Sequence, residues 1–222
     1  MNYTSDFDIV FRHFDILIEG LFGTLKIASL SLIGAVIIGM IAAFMKLAKV
    51  RVIRIPANIY IEIFRNTPGL VQLFWIFYAL PVLINLNMNP FSAAVLSFSL
   101  LTGAFFAELM RGGIVSIEKG QWEAGKALGM NYYTLMKRII LPQAVKRMIP
   151  PFLNRSIELV KTVPLVSMIA YPDILYQAMH LSHKLYRPLE IYTVVAFIYF
   201  FMLFPFSLLV RFLEKKLGKA DL

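Results

Sequence analysis

The sequence predicts an all-α integral membrane protein with five transmembrane helices and a long cytoplasmic loop. Three observations predict it. Of 222 residues, 59% are hydrophobic and 16% charged, against about 45–50% and about 25% in a soluble domain. Mean hydropathy is +0.72. Uncharged stretches run from Ile27 to Met45, from Asn66 to Ala107 and from Ile191 to Val210, and a helix needs about 20 mostly apolar residues to cross a bilayer. This composition excludes disorder, which requires low hydrophobicity. The lack of cysteine excludes disulfide scaffolds, zinc–thiolate sites, iron–sulfur clusters and Cys nucleophiles. The net charge of +9 is dispersed between apolar runs, a pattern of membrane orientation, so no nucleic-acid partner is expected.

Residues 5–19 mix Phe7, Val10, Phe11, Phe14, Leu17 and Ile18 with Asp8, Arg12, Asp15 and Glu19. An amphipathic helix on the outer surface is expected there. No basic segment precedes it, so the first span is expected to stay in the mature protein. Span 1 covers about 21–45 and carries Ser31, Ala35, Gly39 and Ala43 at intervals of four, a stripe that lets another helix approach closely. The uncharged stretch from Asn66 is 42 residues long and is broken by the turn-forming cluster Asn85-Leu86-Asn87-Met88-Asn89-Pro90. It gives span 2 at about 58–84 and span 3 at about 91–112. The last span covers about 190–212.

Hydropathy alone does not predict a crossing at 152–178, where Lys161, Asp173, Pro164 and Pro172 interrupt the apolar run. Charge placement decides it. With that crossing and the N-terminus outside, the inner segments hold 16 of the 22 basic residues and the outer ones hold 4, as the positive-inside rule requires. Without it, Arg211, Lys215, Lys216 and Lys219 would lie outside. Span 4 is therefore polar and bent, so protein or a cavity must cover it. Pro164 is expected to open this helix.

The inner loop, 113–150, is too long for a plain connector. Ala124, Ala127 and Leu128 recur as on one face of a short helix. Gly129 can take the left-handed turn that ends it. Asn131 can cap a second helix through Leu135, Ile139 and Ile140, which Pro142 is expected to stop.

Two apparent motifs fail. Gly120 to Ala127 nearly matches the phosphate loop, but Ala127 lacks the hydroxyl for magnesium, Glu123 repels phosphate and no strand precedes it. His180 and His183 lack a third ligand, and Lys184 and Arg187 repel a cation. No metal or cofactor is expected on this chain.

The segment Glu123-Ala124-Gly125, then Gly129, then Ile140-Leu141-Pro142-Gln143-Ala144 resembles the EAA loop of ABC importer permeases. Gly23-Thr24-Leu25-Lys26, Tyr60-Ile61-Glu62-Ile63-Phe64-Arg65-Asn66-Thr67-Pro68, Gln72-Leu73-Phe74, Glu108-Leu109-Met110-Arg111-Gly112-Gly113 and Gly120-Gln121 resemble the polar amino acid subfamily. The resemblance runs from about residue 20 to 212. It implies five spans in a bacterial inner membrane, with the N-terminus outside and the C-terminus cytoplasmic. It implies a second permease, identical or paralogous, two ATP-binding subunits that hold ATP and magnesium, and an extracytoplasmic solute-binding protein. It also implies that the EAA helix couples to the ATPase through Gly120, Glu123, Ala124, Gly125, Leu128, Gly129 and Pro142.

Two departures from the family pattern matter. Gly125 stands where Ala is usual, which weakens the local helix by about 1 kcal/mol at most. Lys161-Thr162-Val163-Pro164-Leu165 stands where many relatives carry Lys-Asp-Thr-Ser-Leu, so a neutral hydroxyl replaces an acid. A cationic cargo would want that acid, and glutamine, glutamate or aspartate is therefore favoured over lysine or arginine. The candidate substrate path comprises Glu62, Arg65, Gln72, Glu108, Lys161, Thr162, Pro164 and Ser167, because intramembrane polar and ionisable groups point to function. Glu62 with Arg65, and Glu158 with Lys161, have the i, i+3 spacing of intrahelical pairs. The alternative is a stand-alone channel or secondary carrier, which needs neither the Gly129 hinge nor ATPases.

Overall fold

The computed structural model describes residues 6–218, so Ser5, where the expected amphipathic helix begins, and Lys219 of the inner charge count lie outside the described residues. The described chain folds into helices α1 (Asp8–Phe11), α2 (Phe14–Leu47), α3 (Arg51–Asn66), α4 (Gly69–Ile84), α5 (Pro90–Val115), α6 (Lys119–Ala127), α7 (Tyr132–Ile169), α8 (Ile174–Leu185) and α9 (Pro188–Gly218). Three helices are long and apolar enough to cross a membrane, and there are five crossings if each bent pair, α3–α4 and α7–α8, is one span.

The N-terminal amphipathic helix is not a separate element. Only α1 stands apart, and residues 14 onward run without interruption into the first span. The 34 residues of α2 reach about 51 Å at 1.5 Å per residue, well beyond a hydrocarbon core of about 30 Å.

α2 packs along α5, and small residues bring the backbones together. A methyl group added at Gly39 would come within 2.7 Å of Phe106 Cβ and 2.9 Å of the Gly103 carbonyl. One added at Gly103 would come within 3.2 Å of the Ala35 carbonyl. Ser99 donates its hydroxyl to the Ser31 carbonyl at 3.2 Å across this seam. Lipid is as apolar as the side chains, so close packing and hydrogen bonds hold such helices rather than a hydrophobic gain. α3 hangs on the pair through Tyr60, whose hydroxyl donates to the Leu100 carbonyl at 2.6 Å, and through buried Ile61 against Ala42, Ala43 and Ala107. α7 joins on the other side, where Phe152 stacks on Phe106 at 3.6 Å between ring centroids.

Span 2 departs from the expected 58–84. It is two helices meeting at 113°. Pro68 is the cause. It disfavours the helical region for the residue before it, and Thr67 is extended with φ −110° and ψ 137°. The turn at 85–89 forms as the sequence suggests. Asn85 is left-handed at φ 50°, and Asn89 accepts the Ser92 N–H at 2.8 Å to cap α5, with Pro90 in the first helical turn.

Span 4 also departs from the expected 152–178. Pro142 does not stop the helix. Met136–Ile140 forms a π-turn in which the Leu141 N–H donates to the Met136 carbonyl, five residues back. This wider turn admits the ring of Pro142, and α7 continues to Ile169. At Pro164 the α-helical ladder does end, at Thr162, but the chain does not unwind: Val163–Ile169 continues as a tighter 3-10 turn with Pro164 in its first turn, where the missing N–H is least needed. The chain opens instead at Ala170, left-handed with φ 57°, and turns 50° into α8. This turn is clamped to α2. Asp173 caps α8 by accepting the Tyr176 N–H at 2.9 Å, and the Ile174 N–H donates to Thr24 Oγ1 at 3.2 Å.

The seam between α2 and α5 sets the stability of the fold. Gly39→Val adds side-chain volume where backbone stands 2.9 Å away, and overpacking of this kind costs about 1–3 kcal/mol. A clear drop in the thermal unfolding midpoint in detergent is the expected result, with a smaller drop for Gly112→Ala, where an added methyl group meets nothing within 4 Å.

Candidate functional site

Two regions carry the residues singled out in the sequence: the inner loop and the break between α3 and α4. In the loop, α6 ends in the geometry that a glycine makes possible. Gly129 has φ +71°, its N–H donates to the Lys126 carbonyl at 2.9 Å, and the Met130 N–H donates to the Gly125 carbonyl at 3.1 Å. The two bonds close a Schellman motif. Space beside Gly129 is open, with nothing within 4 Å of an added methyl group. The demand for glycine there is a demand of backbone conformation alone.

The second helix folds back against the first. Asn131 accepts the Thr134 N–H at 2.8 Å and caps it. Leu135 then lands on Gly125, where an added methyl group would meet Leu135 Cδ1 at 2.3 Å. The glycine that departs from the family pattern is thus the floor of a contact. Leu135, Ile117, Ile140 and Ala144 form a small core with Trp122 and Met148 against it. Arg147 donates to the Ser116 carbonyl at 2.6 Å and ties α7 to the end of α5.

With Gly125 and Trp122 turned inward, the opposite face of α6 is free. Glu123, Ala124, Ala127 and Leu128 are exposed, as are Gly120 and Pro142. Leu128 is 78% exposed and Tyr132 and Tyr133 are 71% and 70%. The apolar stripe of Ala124, Ala127 and Leu128 therefore does not fold onto the chain. An apolar patch of this kind, rimmed by polar groups, marks a contact surface.

At the break, Gln72 does what the proline undid. Its amide donates to the Phe64 carbonyl at 2.8 Å and to the Thr67 carbonyl at 2.9 Å. Phe64 and Thr67 have lost their intrahelical partners because α3 ends, and carbonyls withdrawn from water need partners. Gln72 is buried, and its Oε1 has no partner. The start of α4 lies against α5 and α7: a methyl group added at Gly69 would lie 3.1 Å from Leu101 Cδ2 and 3.9 Å from Thr162 Cγ2.

The charged candidates pair differently from the expected pattern. Glu62 and Arg65 do not bond to each other. Glu62 accepts the Asn66 side-chain amide at 2.9 Å, and the Arg65 guanidinium lies 5.4 Å from the centre of the Phe105 ring. Glu158 pairs with Arg155 at 2.6 Å rather than with Lys161. Glu108 accepts from Lys46 at 2.7 Å and from Arg111, tying the last turn of α2 to α5. Thr162 donates its hydroxyl to the Glu158 carbonyl at 2.8 Å, and Ser167 donates to the Pro164 carbonyl at 2.8 Å.

The structure therefore brings Glu62, Arg65 and Gln72 to the break and sets Thr162 beside it. Sequence reasoning missed Pro68 as the breaking residue, although Thr-Pro-Gly is a turn signal. It also missed Phe105 and Arg155, which no local pattern marks.

Loss of the Gln72 amide leaves two part-buried carbonyls unpaired, at about 1 kcal/mol each. Gln72→Leu is expected to lower the unfolding midpoint more than Asn66→Leu, whose side-chain bonds are exposed.

Residues 35–219 match the family model described as the binding-protein-dependent transport system inner membrane component. The chain is 39% identical over 214 residues to the L-cystine transport system permease protein TcyB of Bacillus subtilis (strain 168), covering 96% of this chain and 91% of that protein. It is 38% identical over 201 residues to the putative glutamine transport system permease protein GlnP of Rickettsia prowazekii (strain Madrid E), covering 90% and 92%. It superposes with a TM-score of 0.91 on the crystal structure of an amino acid ABC transporter with histidines, at 34% identity over 96% of this chain and 100% of that one. The MetNI methionine ABC transporter in an inward-facing conformation shares the fold, with a TM-score of 0.70 at 16% identity over 91% and 98%.

Proposed function

The chain belongs to the family of binding-protein-dependent transport system inner membrane components, and from that premise we propose how it works and what it carries. It is the membrane-embedded permease subunit of an amino acid ABC importer, and ATP hydrolysis lies in separate subunits. We infer that it carries polar amino acids through five spans, with the N-terminus outside, the C-terminus cytoplasmic, and a second permease beside it. Two ATPase subunits hold ATP and magnesium, and an extracytoplasmic binding protein delivers the cargo. The chain itself binds no cofactor.

The observation that supports coupling is the outward face of α6. Glu123, Ala124, Ala127 and Leu128 stand clear on a helix whose far side is locked to α7 through Gly125 and Leu135. A push on that face by an ATPase moves α7 directly, because α7 is one helix from Tyr132 to Ile169. A channel or secondary carrier has no use for such a lever.

The cargo path runs past the break between α3 and α4, where the ends of two helix segments and the charged side chains beside them can meet an ammonium and a carboxylate. Thr162, beside that break, supplies no negative charge. This favours glutamine, glutamate or aspartate over lysine or arginine. The L-cystine and glutamine named for relatives are likewise not cationic.

Three outcomes are expected. Single cysteines in this Cys-free chain react with an impermeant thiol reagent in intact cells at position 184 and not at position 147; the reverse pattern refutes the orientation. Gly129→Val inserts normally but loses at least tenfold of the ATP hydrolysis stimulated by the loaded binding protein, since a β-branched residue at positive φ costs about 1–2 kcal/mol or more; unchanged stimulation refutes the coupling role. Reconstituted vesicles carry glutamine or glutamate better than arginine or lysine, and the opposite ranking refutes the substrate assignment.

A further inference from the structure

Three helices converge on one aromatic ring beside the break. Phe105 projects from α5. The guanidinium of Arg155 on α7 lies 3.5 Å from its centre, and that of Arg65, in the last turn of α3, lies 5.4 Å away. A guanidinium stacks on such a face through cation–π attraction. Two positive groups on one ring nevertheless repel each other, and a low-dielectric surround strengthens that repulsion.

The negative charge at hand is less than the positive. Glu158 pairs with Arg155 at 2.6 Å. Glu62, one turn from Arg65, is engaged by the Asn66 amide. Among the described residues no carboxylate is paired with Arg65, and the Nε of Arg155 is buried without an acceptor. Lys161 adds a further exposed positive charge one turn beyond Glu158. Charged groups within membrane spans face protein or a polar cavity rather than lipid. The ring with its two arginines lies beside the last turn of α3, where the break begins.

We propose that Arg65 and Arg155, held against Phe105, form the subsite that receives the carboxylate of the cargo. The proposal rests on the amino acid path placed at this break. A carboxylate supplies the missing negative charge, and the planar fork of an arginine matches it with two parallel hydrogen bonds, as a lysine does not. Phe105 keeps the fork of Arg155 oriented before the cargo arrives, and the path from α3 to α7 is spanned by the two side chains together. The arginines thereby read the group that all amino acids share. The side chain of the cargo is left to face Thr162 and the start of α4.

The test uses the complete permease–ATPase complex in lipid nanodiscs, without binding protein, and a panel of radiolabelled amino acids that includes glutamine and glutamate. For the amino acid bound best, its decarboxylated amine is expected to compete at least tenfold more weakly on the wild-type complex. Arg65→Gln is expected to weaken binding at least tenfold, Arg65→Lys less than Arg65→Gln, and Arg155→Gln at least tenfold where its unfolding midpoint shows it intact. Equal competition by the amine, or unchanged binding in Arg65→Gln, overturns the subsite, and the competition arm needs no variant to fold. A wild-type complex that transports amino acids in vesicles yet binds none without the binding protein also overturns it. A wild-type complex that, with its binding protein, transports no amino acid overturns the underlying reading instead.

Discussion

Close approach of α2 and α5 is the constraint on which the other helices depend. In lipid there is no hydrophobic gain to hold two helices together, so they stay together only as tightly as their surfaces fit. Gly39, Gly103 and Ala35 leave the backbones in near contact, and Ser99 bonds across to Ser31. Three other parts of the chain are fixed directly to this pair: α3 by Tyr60 to Leu100, α7 by Phe152 on Phe106, and the start of α8 by Thr24 to Ile174.

Against that rigid pair, the rest of the chain is interrupted, and each interruption is repaired locally. A membrane offers no water to an orphaned carbonyl. Pro68 ends α3, and Gln72 returns to satisfy the carbonyls that the ending exposed. Pro142 is absorbed by a π-turn and Pro164 by a 3-10 turn, so α7 survives both. The outcome is one long run of helix, α7, tied to the short helix α6 through Leu135 on Gly125, and one broken span beside it.

The candidate sites were legible to different degrees. The hinge at Gly129 and the cap at Asn131 are local devices, written within five residues of chain, and sequence reasoning placed both. Gly125 read as a weakness because its helix propensity is poor; only the arrival of Leu135 shows why a side chain would be in the way. The ion pairs failed for a related reason. Spacing of three residues permits Glu62 to meet Arg65, but Asn66 competes for the one and Phe105 for the other, and those partners are set by packing.

The sequence by itself determined the class of the molecule, the positions of its apolar stretches and the family to which it belongs. Composition, turn residues and charge placement are properties that a linear reading carries whole. Tertiary structure alone decided where the helices actually break and what fills each break. A proline tells only that a donor is missing and a ring must fit; whether the helix kinks, widens, tightens or ends depends on the groups that neighbouring elements bring. At 68 a glutamine four residues on was there to satisfy the ending, and at 142 and 164 the ladder could shift by one residue instead. The convergence of Arg65, Phe105 and Arg155 is of the same kind, since residues spread over 90 positions of chain meet only when α3, α5 and α7 have been packed around one seam.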